Sequence, residues 1–447
     1  VPLGFFLFGL ACLTGALALL LIRPTILSTY HYNQYVVAAT HLALLGWIGS
    51  VVFGALYQLV PVALEIKLFS ERLALGHLVC QVVGSLGMVW SFWQWNLKHV
   101  GHWGSIFACG VGLLFVNLAW TVVRSRKWTP VSAGITSALL WLVLAVAVGL
   151  ALAAAKCSYE SLERLPADNP LAFTLRGLAA VAAVVARFDQ MSLMHAHAHL
   201  GALGGFVLLL VAVSWQLLPM FLLSTVQSER RAWWVIGGLN AGLLGLVISV
   251  ATRSPWKLLF TGVLLAALWL YGLEVRALLR ARRRPALDWP LRMFLGSLAV
   301  LIPLAGLAGV LSWPGLPLTA FTGQLENLYG FLAVFGLLST ALLGMLFKIL
   351  PFLVWYGTYS IHLGRARVPN FADMYSETLL RLAGLAWFAG LLAVALGILA
   401  SHTLVVRGGG AALALAVALH LGNCARILSH RMRPRLHPLH APPGRFT

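Results

Sequence analysis

Charge is scarce in this chain. Only 10% of its 447 residues are charged, against 60% hydrophobic, which excludes an ordinary soluble domain. Acidic residues are scarcer still: 12 Asp and Glu in all, in loops or at helix ends, with none in the middle of an apolar run. Buried ionisable groups are the usual parts of a proton relay through a bilayer, so a proton-pumping role is not expected. The five cysteines form no framework. Cys12, Cys80, Cys109 and Cys424 lie in apolar runs and Cys157 stands alone in a loop. Cys-x-x-Cys-His is absent, which excludes covalent c-type haem attachment, and no two histidines are adjacent. The first apolar run is long enough to persist as a span, so a cleavable signal is not expected.

What the chain has in abundance is apolar runs of bilayer length, about 20 residues each. Twelve are expected, at 3–22, 36–60, 73–95, 104–123, 132–155, 195–218, 232–251, 256–275, 293–312, 328–350, 379–399 and 408–426. A thirteenth stretch, 171–186, is short, carries Arg176 and reads as an interfacial helix. The net charge of +19 reflects orientation rather than nucleic-acid binding. Loops after even-numbered spans, with the C-terminal tail, hold 22 of the 31 Lys and Arg residues. That bias places both termini in the cytoplasm of a bacterial inner membrane, with the Arg276–Arg284 cluster facing anionic lipid head groups.

Three spans share one signature. It runs from His41 to Pro61, from His199 to Pro219 and from Phe331 to Pro351. Each has glycine five positions in (Gly46, Gly204, Gly336) and a small residue at thirteen (Gly54, Ala212, Gly344). Each then has an aromatic–polar pair, Tyr57–Gln58, Trp215–Gln216 or Phe347–Lys348, before two aliphatics and the proline. The expected fold is therefore all-α: a polytopic membrane protein of about twelve transmembrane helices in three pseudo-repeated groups of four. The repeats fall at about 1–125, 131–280 and 290–426 of one transmembrane domain, and 427–447 is expected as a cytoplasmic tail. Close packing accounts for the glycines and prolines. It does not account for the histidines, which head only two of the copies.

The segment Met194-His195-Ala196-His197-Ala198-His199-Leu200 carries the sharpest chemistry. Histidine within a bilayer marks function by default, and neutral imidazole ligates iron and copper. At about 100° per residue, His197 and His199 point to opposite flanks, while His195 and His199 nearly coincide. His41 matches His199 in depth by the repeat alignment, so the two can share one haem iron; hydrogen bonding to a neighbouring helix is the plainer alternative. His99 and His102, four residues of backbone at the head of the fourth span, can bind copper or pair with a haem propionate, or serve as ordinary interfacial histidines. Arg407 is a further candidate propionate partner.

These residues resemble haem–copper oxidase subunit I, and within that superfamily the large subunit of nitric oxide reductases. The resemblance rests on the grouping of twelve helices, the second-span histidine, and two stretches. His197-Ala-His-Leu-Gly-Ala-Leu-Gly204 and Gly54-Ala-Leu-Tyr-Gln-Leu-Val-Pro61 are similar to helices of that group. The resemblance implies that His41 and His199 bind low-spin haem b, that His197 binds a second haem, and that copper or non-haem iron is a further cofactor. It also implies a hetero-oligomeric complex with a c-type cytochrome or other redox subunit on the periplasmic side. The His-Gly-Gly-Pro spacing of 41–61 is similar as well to NnrS, a haem-containing family linked to nitric oxide stress. This chain departs from the oxidases in carrying His-Ala-His on span 6 rather than span 10. A haem-free transporter or structural subunit is the reading that needs no cofactor; transporters, however, commonly hold ligand near the midplane, whereas these histidines gather near one face.

Overall fold

The computed structural model describes all residues except 30, 127, 157–165, 167–168, 227 and 437–447. Cys157, Glu160, Glu163, Asp168, His437 and His440 lie outside the described residues. Twelve helices are long and apolar enough to cross a membrane, and the described residues form no strand. In chain order they are α1 (Pro2–Ile22), α2 (Gln34–Val62), α3 (Glu71–Trp93), α4 (Leu97–Ser125), α5 (Pro130–Ala154) and α6 (Gln190–Leu222). The remainder are α7 (Glu229–Ala251), α8 (Lys257–Arg280), α9 (Trp289–Leu311), α10 (Ala320–His362), α11 (Glu377–Leu399) and α12 (Thr403–Met432). All twelve expected spans are present. The stretch expected at the interface is a separate 16-residue helix, Pro170–Val185, with most of its described side chains exposed.

Polar caps set most of the boundaries. Asn33, Ser70, Asn96, Thr129, Asp189, Ser228, Asp288 and Ser376 each accept backbone N–H groups from the first turn of the helix that follows. α12 runs through residues expected in the tail as far as Met432. It buries His430, within that expected tail, against the Tyr359 hydroxyl at 2.8 Å.

The helices cluster into two units. The first comprises Val1–Gly9, Tyr32–Pro285 and Ala305–Thr319; the second comprises Leu10–His31, Ala286–Leu304 and the chain from Ala320 onward. Within the first, α3 packs on α4 and α7 on α8, as expected for helices joined by short connections. Within the second, α11 packs on α12 and α9 on α10.

Small residues let neighbouring backbones meet where lipid supplies no hydrophobic drive for association. In the first unit a methyl group added at Gly54 would lie 2.8 Å from Phe5 Cβ. In the second, one at Gly344 would lie 2.6 Å from the Pro290 carbonyl oxygen. The small residue at position thirteen of the signature thus seats each of these helices on the helix that precedes it.

One backbone feature escaped the sequence. All three signature helices widen into π-helix directly after the position where the signature starts: Leu42–Gly49, Leu200–Val207 and Leu332–Ser339. The wider turn alters carbonyl pairing, and polar side chains answer it. Gln81 Nε2 donates to the Leu45 carbonyl at 2.7 Å and to Ser50 Oγ at 3.0 Å. In the third copy Ser339 and Thr340 hydroxyls donate back to Val334 and Phe335 carbonyls at 2.8 and 2.9 Å.

Candidate metal centre

The candidate ligands lie in the first unit, at the head of α2 and the head of α6. Asp189 starts α6 by accepting the Ser192 backbone N–H at 2.9 Å and its hydroxyl at 2.8 Å. Those two bonds, the backbone one foremost, hold the Asp189 carboxyl below the usual range, with Arg253 adding at 3.5 Å. From this anchored turn the helix presents His195, His197 and His199 before it widens.

Three imidazoles share one arrangement. His41 Nδ1 bonds the Val37 carbonyl at 2.8 Å, His197 Nδ1 the Ala145 carbonyl at 2.9 Å, and His199 Nδ1 the His195 carbonyl at 2.7 Å. A carbonyl only accepts, so each Nδ1 carries the proton. In the neutral rings of His41 and His197 the unprotonated nitrogen is then Nε2, the tautomer that ligating histidines adopt. All three side chains are half-buried, while Ala196 and Leu200 beside them are buried.

The rings of His41 and His197 are brought together. Their centroids are 6.5 Å apart and their planes differ by 18°. Phe92 of α3 backs the His41 ring at 4.5 Å. Gly149 of α5 makes room for His197, since a Cβ there would stand 2.9 Å from its Cε1. Gln34 Nε2 donates to the Trp93 carbonyl at 3.2 Å, and Tyr35 meets the Trp93 ring edge-on, tying the head of α2 to the end of α3. Gly149 and Phe92 were not singled out in the sequence. Nothing in the local pattern marks them, because their role depends on which helix lies opposite.

Two imidazoles on a single metal, each nitrogen about 2 Å from it, put their ring centres roughly 6 Å apart. The His41–His197 pair has that separation and the required tautomers, so these residues fit a bis-histidine iron. His195 supplies its carbonyl to His199 and is itself half-buried.

The other candidates stand apart in character. His99 and His102 are exposed at the head of α4, their ring centres 6.0 Å apart. Arg407, in the second unit, is exposed in the first turns of α12 and donates from Nε to the Leu21 carbonyl at 3.2 Å. His31, also in the second unit, lies 3.4 Å from Glu326, and burial pushes its imidazolium toward lower pKa. His77 and His420 are fully buried. Tyr57 hydroxyl meets His77 Nδ1 at 3.0 Å, and His420 Nδ1 donates to the Ala416 carbonyl at 2.8 Å.

No protein-family model and no curated protein matches the chain. Among solved structures it is similar to a heme-copper terminal oxidase determined by cryo-EM as a dimer. The TM-score is 0.50 and the identity 11%, over 98% of this chain and 88% of that one. At that identity the likeness is one of fold: the chain has a multi-pass, all-helical fold like that of the oxidase chain it matches.

Proposed function

We propose that this protein is a haem-binding integral membrane subunit of an oxidase-like respiratory complex, in which His41 and His197 would hold one haem b. The observation that carries the reading is the ring pair itself, 6.5 Å between centroids and 18° between planes. A hydrogen bond between each histidine and a helix carbonyl would serve packing alone. It would not require two such rings to lie near-parallel at this separation.

The bound haem supplies one-electron transfer, with the protein tuning it through ligand identity and burial. The chain's own residues do the positioning. The Val37 and Ala145 carbonyls fix the tautomers, Phe92 holds the His41 ring, and Gly149 admits the His197 ring. His199 lies about 200° around the helix from His197, on the flank where a second haem would be held. On this reading His197 takes the place beside His41 that equal depth assigned to His199. A c-type cytochrome is the electron donor that suits histidines gathered near one membrane face. Both termini are assigned to the cytoplasm of a bacterial inner membrane by the distribution of Lys and Arg.

Haem quantitation with reduced-minus-oxidised and low-spin resonance spectra on three variants tests this. His41→Ala and His197→Ala should each lose the bis-histidine signal, while His199→Ala keeps it. Loss in His199→Ala with retention in His197→Ala would transfer the pairing to His199. Unchanged haem content in all three would refute the reading.

A further inference from the structure

α1 stops at Ile22 because Pro24 follows, and Arg23 is the first charged residue after its apolar run. α12 opens at Thr403 and places Arg407 one turn in. These two helix ends meet in the second unit. Arg407 Nε donates to the Leu21 carbonyl at 3.2 Å, so it caps the C-terminal end of α1 and is held there. Its two terminal amino groups have no hydrogen-bond partner among the described residues. Beside it lies a pocket of about 330 Å³, within the range of small-molecule sites. Arg23, Arg407, Thr25 and Thr403 line it, and no acidic residue does.

The rim has the opposite character. Ile22 and Leu404 border the same pocket, and each is 69% exposed. Both belong to membrane-spanning helices at their ends, where the hydrocarbon layer gives way to head groups. A cationic, hydroxyl-lined pocket with two bare aliphatic side chains at its mouth matches one class of ligand.

We propose that this pocket binds an anionic phospholipid, its phosphate on Arg23 and Arg407 and its acyl chains along Ile22 and Leu404. Guanidinium groups suit a phosphate through paired, parallel hydrogen bonds. A zwitterionic head group brings a cation that the pocket has no acidic side chain to receive. Inorganic phosphate shares the anionic chemistry and leaves the aliphatic rim uncovered. The assignment does not depend on the haem reading, and it gives Arg407 a role other than pairing with a propionate.

Native mass spectrometry on delipidated full-length protein in detergent is the test, with phosphatidylglycerol, phosphatidylcholine or inorganic phosphate added back. Wild type should retain one phosphatidylglycerol that phosphatidylcholine does not replace. Arg23→Gln or Arg407→Gln should weaken retention about fivefold, and the double variant about thirtyfold, as expected for two interfacial arginines. Arg276→Gln, in the separate basic cluster, should bind as wild type does. Should the glutamine variants fail to fold, Arg23→Lys with Arg407→Lys keeps the charges while removing the planar forks, and weaker retention is again expected. Equal retention by wild type and the double variant would overturn the proposal, as would inorganic phosphate displacing the lipid at millimolar concentration. Haem loss from a folded Arg407→Gln variant would return Arg407 to the cofactor and also overturn it.

Discussion

The signature helices of the first unit and the one in the second share a backbone and differ at both ends. α2 and α6 begin their π-helical turns after His41 and His199; α10 begins its own after Phe331. Four residues beyond the proline the first two copies are capped by a left-handed residue, Glu65 or Leu223, whereas the α-helical turns of α10 continue past Pro351 to Tyr359. Phe331 is buried and stacks on Phe335 at 5.4 Å. Its copy has the same widened backbone without a histidine at its head. π-Helical turns often accompany functional sites, but here they belong to the scaffold. What could make a metal centre is therefore the histidine chemistry and not the unusual helix around it.

Exchanging the head residues gives the largest contrast. His41→Phe converts the first copy to the chemistry of the third and should abolish the bis-histidine spectrum, with haem per chain falling at least about tenfold, since losing one buried interaction worth 1.4 kcal/mol already suffices. The reverse exchange, Phe331→His, should gain no haem. It should instead destabilise the fold by about 2 kcal/mol, the cost of placing an unpartnered imidazole in an apolar setting. Haem capture by Phe331→His would mean that the scaffold alone makes a site.

A smaller contrast comes from a second threefold motif. Ser70, Ser228 and Ser376 begin α3, α7 and α11, each followed by Glu, and each is held by a polar residue on the next helix. Ser70 N–H donates to Asn117 Oδ1 at 3.0 Å, and Ser376 N–H to Asn423 Oδ1 at 2.8 Å. Asn117 and Asn423 return a bond to the same serine's carbonyl at 2.7 and 3.0 Å. The middle copy substitutes Glu274, which takes the Ser228 N–H at 3.4 Å and Arg231 Nη1 at 2.5 Å. Glu274 is 1% exposed and Arg231 about a third exposed. Glu274→Ala should cost roughly 2–3 kcal/mol, below the full figure for a buried pair because water reaches the arginine. Asn117→Ala and Asn423→Ala should cost about 1–2 kcal/mol each. Melting in detergent at matched lipid content orders the three, and equal losses would show that the carboxylate adds nothing over an amide.

This motif is legible in the sequence. The Ser-Glu pairs stand at 70, 228 and 376, and their partners follow 47, 46 and 47 residues later. The twelve spans were legible because bilayer thickness imposes a length on apolar runs. The signature was legible because close packing demands small residues at fixed positions, as Gly54 and Gly344 confirm against Phe5 and Pro290. The π-helical turns were not, since widening by one residue leaves the apolar pattern intact. Nor was the ring that faces His41. The repeat alignment compares depth along helices, whereas the pairing of His41 with His197 depends on helix rotation, set in part by Ala145 and Gly149 on a third helix.

The smallest effect concerns how the histidine-bearing helix of the first unit begins. α2 starts from the neutral cap Asn33, and α6 from the ionisable cap Asp189. Donation from Ser192 keeps the folded carboxyl below its ordinary value of 3.8. An acid whose folded pKa is depressed contributes stability that is full above its unfolded pKa and fades as pH falls through the folded one. Asp189→Ala should therefore melt below wild type at about pH 6, with the gap closing toward about pH 3 as the wild-type carboxyl protonates. Asp189→Asn still accepts from Ser192 and should make the head of α6 respond to acid as the head of α2 does. If the gap between wild type and Asp189→Ala stays constant over that range, charge plays no part in the cap, and the two helix starts are equivalent despite their different residues.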